Sequence, residues 1–468
     1  MTASEAWTRM RAEILARISP TRRQIGELRA FAARTVEGLS AALRAAGLRA
    51  DVEVHGSAAR DTWLREHRDV DIFIVLGRSY GRRILPRVLD AVKSFVGAGW
   101  TEAYAEHPYV RAAMGGYDVE FVPCFRAAEG EPMLSATDRT PLHTRYLGGR
   151  LKPEHVDEVR LLKKFASGTG VYGAEMRTEG FSGYLCELLI LRYGSFEALI
   201  EAAAGWTEAP VIQLGEPRPP ADLRRIFRKP LIVVDPVDGD RNVASAVSET
   251  SLWTFVAAAR AFTARPSKAF FFPGEMPVDR EALLDSLGRG RDLLFLVVDD
   301  PRPDVPDTLW GQLRKAERAL ARHLVDAGFM VTHSASWSDE ATRHVILLEL
   351  ESATIPQTVK QLGPPVWLAE DSARFLEAHR GSGDVVSGPA VEGSRWWVMT
   401  RRRCSDAVML LREAAADGGV DVGVPRRLAA KVASGGRVLL NGGVAGCLEG
   451  EFPRFLSRFL RGRPDWLE

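Results

Sequence analysis

The sequence predicts a multidomain α+β protein. Strand-like and helix-like periods alternate through the first 125 residues, helical periodicity dominates from about Thr140 to Phe262, and alternation returns beyond Pro266. A chain of 468 residues accommodates several domains of about 100–200 residues each. Hydrophobic residues make up 46% and charged residues 26%, the balance expected of a soluble globular chain.

In chain order, Trp7, Met10, Ile14, Leu15 and Ile18 recur at helical spacing ahead of Pro20, so the first element is an amphipathic helix. A second helix runs from about Thr21, with Ile25, Leu28, Val36, Leu39 and Leu43 on one side. "ADVEVHG" reads as a short strand, and "DVDIFIVL" as another beyond a polar segment. "ILPRVLDAVKSFV" is an amphipathic helix, and "AYAEHPYVRAAMGGYDVEFVPCF" is two strands joined at Gly115-Gly116. The middle is helical in "DEVRLLKKFA", "FSGYLCELLILRYGSFEALIEAAA" and "SLWTFVAAARAF", interrupted by "GEPRPPADL" and "PLIVVDPVD". Beyond Pro266, strand "DLLFLVVDD", helix "TLWGQLRKAERALARHLVDAG", strand "HVILLELES" and helix "IPQTVKQLG" alternate as in a ferredoxin-like α+β unit. The expected domains are therefore 1–140, 141–265 and 266–468.

Several function classes are disfavoured at this stage. Cys124, Cys186, Cys404 and Cys447 are far apart and form no C-x-x-C pair, which argues against a cysteine zinc site and fits a reducing compartment. The first twenty residues carry no apolar h-region, and the longest aliphatic run, "LLFLVV" from Leu293, is too short to span a bilayer. A cytoplasmic protein without a membrane partner is expected. The net charge of +1 creates no global field for nucleic acid, so any basic surface must be local.

Chemistry concentrates at the mouth of "DVDIFIVL". Asp is a poor strand former, and Asp69 and Asp71 on one strand share a face, with Val70 and Ile72 opposite. Two carboxylates held together suit a divalent cation, and Mg²⁺ suits hard oxygen ligands with substrate phosphates completing the shell. Alone, the pair would equally be a strand edge with two solvated acids. Its company narrows the choice. Gly56-Ser57 follows a strand and opens the helix "AARDTWLREH", where free N–H groups, the Ser57 hydroxyl and Arg60 could meet phosphate. The plainer alternative makes Ser57 an N-cap and Arg60 a surface residue. On "GYDVEFVPCF", Asp118 and Glu120 again share a face, with Val119 and Phe121 opposite. Strand, Gly-Ser, helix, D-x-D and a later acidic strand form one composite signal.

This order of motifs resembles the nucleotidyltransferase superfamily related to DNA polymerase β, and more closely the archaeal-type, class I CCA-adding tRNA nucleotidyltransferases. The residues that carry the resemblance are "HGSAARDTWL", "DVDIFIVL", "AEHPYVRA", "DVEFVPCF", "DRTPLHTRYL", "EVRLLKKF", "GVYGAE", "GFSGYLCELLILRYGSF" and "VVDPVDGDRNVA", spanning roughly residues 50–250. "RWW" near Trp396 continues it more weakly. The resemblance implies a nucleotidyltransferase head with a mixed sheet, a helical nucleotide-recognition neck and a C-terminal tRNA-binding body and tail. It implies Mg²⁺ on Asp69, Asp71 and Glu120, with Asp118 the other candidate for the third ligand. It assigns Gly56, Ser57 and Arg60 to the triphosphate, and His143, Lys163 and Tyr172 to the nucleotide. Arg241 of "DGDRN" falls where the family reads the incoming base. The family's familiar members carry Glu-x-Asp and then Asp, whereas this chain carries Asp-x-Asp and then Glu, which bears on which acid takes the hydroxyl proton. Taken by themselves, Lys163 reads equally as a surface lysine, His143 as a loop residue after Pro141, and Tyr172 as a stacking or capping side chain.

Basic residues cluster locally. Arg314, Arg318 and Arg322 repeat every four residues on one predicted helix, a stripe about 12 Å long at 1.5 Å per residue, with Leu313, Ala316, Leu320 and Leu324 on the buried side. "RRIFRK" and "RRR" are two further clusters. The expected function is Mg²⁺-dependent addition of C, C and A to a tRNA 3′ end from CTP and ATP. Two alternatives stay open: a nucleotidyltransferase with another acceptor, and a catalytically silent RNA-binding relative. A homodimer is implied by the resemblance alone.

Overall fold

The computed structural model describes residues 3–104, 107–127, 133–274, 277–302 and 304–467. Ala105 and Glu106 of "AEHPYVRA" lie outside them. The chain divides into two compact units, Met1–Glu275 with Pro464–Glu468, and Met276–Arg463.

The first unit begins with α1 (Ala3–Ile18) and α2 (Arg22–Ala45). Thr21 caps α2 reciprocally with Gln24: its hydroxyl accepts the Gln24 N–H at 3.2 Å, and Gln24 Oε1 accepts the Thr21 N–H at 2.9 Å. Strands β1 (Ala50–His55), β2 (Asp69–Leu76), β3 (Trp100–Tyr104), β4 (Pro108–Met114) and β5 (Tyr117–Phe125) form one mixed sheet in the order β1-β2-β5-β4-β3. Only β2 and β5 run parallel; the other neighbours are antiparallel. The short helix α3 (Gly56–Arg60) links β1 toward β2, and α4 (Leu85–Val96) follows β2. Gly115 and Gly116 make the β4–β5 turn with φ of +60° and +82°, a left-handed pair that explains the glycines.

Alternation along β2 and β5 decides the layers. Val70, Ile72, Ile74 and Leu76, with Val119 and Phe121, pack under Leu28, Leu39 and Leu43 of α2 and Val88, Leu89 and Val92 of α4. Phe73, Val75, Val122 and Cys124 form a smaller cluster on the opposite face.

Two local expectations differ from the structure. The helix read in "AARDTWLREH" stops at Arg60, because Asp61 adopts φ +56° and caps it. Strand β3 is an additional element; its exposed Trp100 and Thr101 give an edge strand no apolar alternation to detect.

The same unit continues with α5 (Arg139–Gly148), α6 (Pro153–Gly168), α7 (Gly183–Tyr193), α8 (Phe196–Ala204), α9 (Pro220–Phe227) and α10 (Glu249–Ala264). A small sheet of β6 (Val211–Ile212), β7 (Ile232–Asp235) and β8 (Asp238–Asn242) lies among them. Phe165 of α6 centres an aromatic core, with Phe196 at 5.5 Å, Phe262 at 5.6 Å, Phe271 at 5.7 Å, Phe270 at 5.8 Å and Phe255 at 5.9 Å between ring centroids. α1 belongs to this core by packing: Ile14 and Ile18 enter it, and Trp7 stacks on Phe196 at 6.0 Å while donating to Glu197 at 2.6 Å. Trp466 joins the same core, stacked on Phe270 at 5.4 Å.

The second unit comprises α11 (Arg280–Ser286), β9 (Asp292–Asp299), α12 (Pro306–Asp326), β10 (Val331–Ser338), β11 (Arg343–Leu350), β12 (Thr358–Pro365), α13 (Ala369–His379), β13 (Val385–Glu392), β14 (Arg395–Arg401), α14 (Ala407–Ala416), α15 (Arg426–Gly435), β15 (Gly436–Leu440) and α16 (Phe452–Arg461). Its antiparallel sheet has the order β10-β11-β9-β15, the ferredoxin-like arrangement in which the first strand lies between the third and the fourth. α12, α14 and α15 cover one face through Leu313, Leu320, Leu411 and Val432, and α16 covers the other through Phe452 and Leu456. "IPQTVKQLG" is not the second crossover helix. Most of it is β12, which pairs with β14 in a separate sheet β12-β14-β13, and α14 and α15 form the crossover. Leu362 opposes Trp397 across that pair, so distant partners override the local pattern. None of the described helices is long and apolar enough to cross a membrane.

Because Phe165 is fully buried among five phenylalanines, Phe165→Ala should cost about 3–5 kcal/mol of stability, read as a lower unfolding midpoint in denaturant.

Candidate active site

Parallel pairing of β2 and β5 sets Asp69 beside Asp118 and Asp71 beside Glu120. In-register residues of a parallel pair point to one face, so these acids share the face opposite Val70, Ile72, Val119 and Phe121. Asp69 and Asp118 are exposed, and Asp71 and Glu120 half-buried. Burial first, and then the Asp69 charge, raise the Asp71 carboxyl above its ordinary value. Burial and then Asp71 push Glu120 up to about 7, against the opposing pull of Arg111. Arg111 Nε lies 3.0 Å from Glu120 Oε1. Among the described residues, no group of three or more His, Cys, Asp or Glu side chains is drawn together as a ready metal cage. Glu120 pairs instead with Arg111. The set still fits a hard divalent cation, because its donors are carboxylate oxygens on one rigid face, and burial with mutual repulsion raises two of them above their ordinary values.

Gly56 opens α3 with φ +65°, and a Cβ there would stand 1.7 Å from Asp71 Oδ2. The close approach that demands glycine is therefore to the carboxylate. His55, not Ser57, holds the N-cap position. His55 Nδ1 and Thr144 Oγ1 are 2.9 Å apart, and burial followed by the Arg60 charge lowers the His55 imidazole to about 4, so the ring is neutral.

Arg60 is no surface residue. Its Nε donates to Glu187 Oε1 at 3.1 Å, its Nη2 to Glu187 Oε2 at 2.8 Å and its Nη1 to Thr144 Oγ1 at 3.1 Å. Lys163 is also buried; its Nζ donates to the Thr62 carbonyl at 3.0 Å and to Thr62 Oγ1 at 3.3 Å. A second group forms around buried Asp235, at the end of β7. His143 Nε2 meets Asp235 Oδ2 at 2.9 Å, Arg241 Nη1 donates to the same oxygen at 2.7 Å, and the Tyr184 hydroxyl reaches Oδ1 at 3.4 Å. The Tyr184 ring stacks on His143 at 3.9 Å. His143 lies on α5 rather than in a loop. Neither Asp238 nor Asp240 braces Arg241: Arg139 takes Asp238 at 2.7 Å and Arg218 lies 3.5 Å from Asp240. Tyr172 stacks near His67 at 6.2 Å, and burial raises its phenol.

The structure thus joins Arg60 to Lys163 through Thr62 and Glu187, and His143 to Arg241 through Asp235. Glu187 and Asp235 are absent from the sequence reading, yet each leaves a trace: a single acid inside an apolar run, "CELLIL" and "LIVVDP", requires a buried partner. Arg314, Arg318 and Arg322 lie on α12 of the second unit, Arg318 and Arg322 exposed and Arg314 half-buried. Glu317, between them, accepts from the Ser334 and Ser336 hydroxyls at 2.7 Å each.

Three family models match the chain: a nucleotidyltransferase domain over residues 36–143, the second domain of tRNA nucleotidyltransferase over 157–272 and the C-terminal domain of CCA-adding enzyme over 289–435. A CCA-adding enzyme of Pyrobaculum neutrophilum is 39% identical over 388 residues, 82% of this chain and 88% of that one. The chain belongs to the CCA-adding enzyme family. A second CCA-adding enzyme, from Halobacterium salinarum, is 40% identical over 389 residues, covering 83% of this chain and 84% of that one. A third, from Methanothermobacter thermautotrophicus, is 35% identical over 455 residues, 96% and 97% of the two chains. As a member of the CCA-adding family this protein is a nucleotidyltransferase, of a class that generally uses divalent metals.

The Gly56 contact gives a direct test within this CCA-adding family member. Gly56→Ala should lower the melting temperature, since alanine is strained at φ +65° and its methyl must displace Asp71, and should lower nucleotide incorporation by about a hundredfold or more, since misplacing a reacting group by about 1 Å costs that much. Steady-state kinetics beside a thermal melt separates the two effects.

Proposed function

We propose that this enzyme adds C, C and then A to the 3′ end of tRNA, taking CTP and ATP and releasing pyrophosphate. The observation that carries the reading is the in-register pairing of Asp71 with Glu120 on one sheet face beside Gly56. Asp69, Asp71 and Glu120 would hold Mg²⁺, which when bound lowers the pKa of the attacking hydroxyl and neutralises charge on the leaving phosphates.

Gly56, Ser57, Arg60 and Lys163 receive the triphosphate. Arg60, its guanidinium oriented by Glu187, offers its remaining N–H groups, and Lys163 supplies a compact charge. Tyr172 closes the nucleotide site beside His67. His143 and Arg241, held on Asp235, read the base: Arg241 keeps further N–H groups for the ring acceptors of cytosine or adenine. Base choice comes from this pocket and the RNA end together, because no template strand takes part.

Three functional parts, 1–140, 141–265 and 266–468, divide these tasks, with Arg314, Arg318 and Arg322 as a phosphate-contacting stripe for tRNA. A cytoplasmic location suits such a substrate. The decisive experiment supplies tRNA lacking its last one, two or three nucleotides with each NTP separately. Incorporation of C, C and A in that order supports the reading; equal use of all four nucleotides overturns it.

Two substitutions test the roles. Asp71→Ala should abolish incorporation while tRNA binding stays within a few-fold, and melting without Mg²⁺ should be unchanged or higher because a repelled buried carboxylate is removed. Arg241→Ala should let UTP and GTP compete, changing the ratio of correct to incorrect incorporation more than overall turnover, since lost polar recognition erodes discrimination.

A further inference from the structure

Glu187 lies in the apolar run of α7, between Cys186 and Leu188, and is fully buried. Among the described residues its donors are Arg60, of the proposed triphosphate site, and Thr62. Arg60 grips both carboxylate oxygens, and Thr62 Oγ1 donates to Oε1 at 2.6 Å. Thr62 accepts from Lys163 in turn, so the ammonium is tied to the same carboxylate through one hydroxyl. His55, beside Arg60, is neutral, and Arg160, which also acts on Lys163, is paired with Asp157 at 2.7 Å. Half-buried Arg60 and buried Lys163 thus share one buried carboxylate, Glu187, and both also act on Asp71. Burial, the largest influence, holds the Lys163 ammonium below its ordinary value; Glu187 counters this and Arg60 adds to it.

We propose that Glu187 is a positioning residue and a built-in competitor for phosphate. It fixes the Arg60 guanidinium and, through Thr62, the Lys163 ammonium, and it occupies Arg60 donors that phosphate would otherwise take, so that triphosphate binds while pyrophosphate still leaves. This inference rests on the reading of Arg60 and Lys163 as triphosphate ligands. A brace alone would predict only lost stability when Glu187 changes. A competitor predicts opposite signs: the free protein weakens, and the product is held more tightly.

The test uses the full chain with pyrophosphate as the probe, by calorimetric binding and by inhibition of A addition. Glu187→Gln should lower the melting temperature without ligand and tighten pyrophosphate about tenfold, the scale of one charge-assisted hydrogen bond returned to the ligand. KM for ATP and CTP and kcat should fall together as release slows. Arg60→Gln is run alongside and should weaken pyrophosphate. If Arg60→Gln weakens pyrophosphate but Glu187→Gln leaves it unchanged or weaker, Glu187 is a brace and the inference is overturned. If Arg60→Gln has no effect on pyrophosphate, the triphosphate reading has failed and the inference falls with it. Should Glu187→Gln not fold, the uncharged pair Arg60→Gln with Glu187→Gln replaces it. That double variant should bind pyrophosphate more tightly than Arg60→Gln alone, and equal binding overturns the inference.

Discussion

Everything in the first unit turns on one parallel strand pair. β2 and β5 carry apolar residues on one face and acids on the other, so the packing that buries Val70, Ile72 and Phe121 also forces Asp71 against Glu120. Core burial supplies the free energy, and carboxylate repulsion is the cost it covers. The surroundings answer that charge without cancelling it. Arg111 reaches Glu120 from the neighbouring strand, and Arg60 and Lys163 act on Asp71 from the helical side. A surface built this way has its strongest electrostatic demand where a cation and a polyanion can satisfy each other.

Both arginines proposed to meet the nucleotide are held by buried carboxylates. Glu187 holds Arg60, and Asp235 holds both Arg241 and His143. A long cationic side chain left loose would lose rotamer freedom on binding each nucleotide; here the ordering is already done when the protein folds. The two carboxylates lie on α7 and β7, elements that also send Leu185, Leu188, Leu189 and Val233 into the core around Phe165. Rigidity of that core therefore passes directly to the geometry of the site.

Legibility in the sequence followed the range of the interactions. Asp69, Asp71 and Glu120 could be read because strand alternation alone sets their face, and the Gly115-Gly116 turn because its backbone demands glycine. The partners of Arg60 and Arg241 could not be read, since Arg60 and Glu187 are separated by 127 residues and only folding brings them together. Arg241 shows the limit well: its near neighbours Asp238 and Asp240 are the obvious choices, but both are occupied by other arginines while Asp235 lies buried beside it. β12 was misread for a related reason, because its strand state is dictated by β14 across the sheet, and edge strand β3 had no apolar pattern to reveal it. The ferredoxin-like alternation was visible, but the sheet inserted into its second crossover was not.

The stacking of Trp466 on Phe270 has a meaning for how the molecule assembles. The chain leaves the first unit near residue 275 and comes back to it at Pro464, after building the whole of the second. Closing a loop of that length carries an entropic penalty that grows slowly with loop size, but a folded second unit shortens the effective span. Trp466, far from Phe270 along the chain, is thus a core residue of the first unit, and the second unit is an insertion between two segments that pack together.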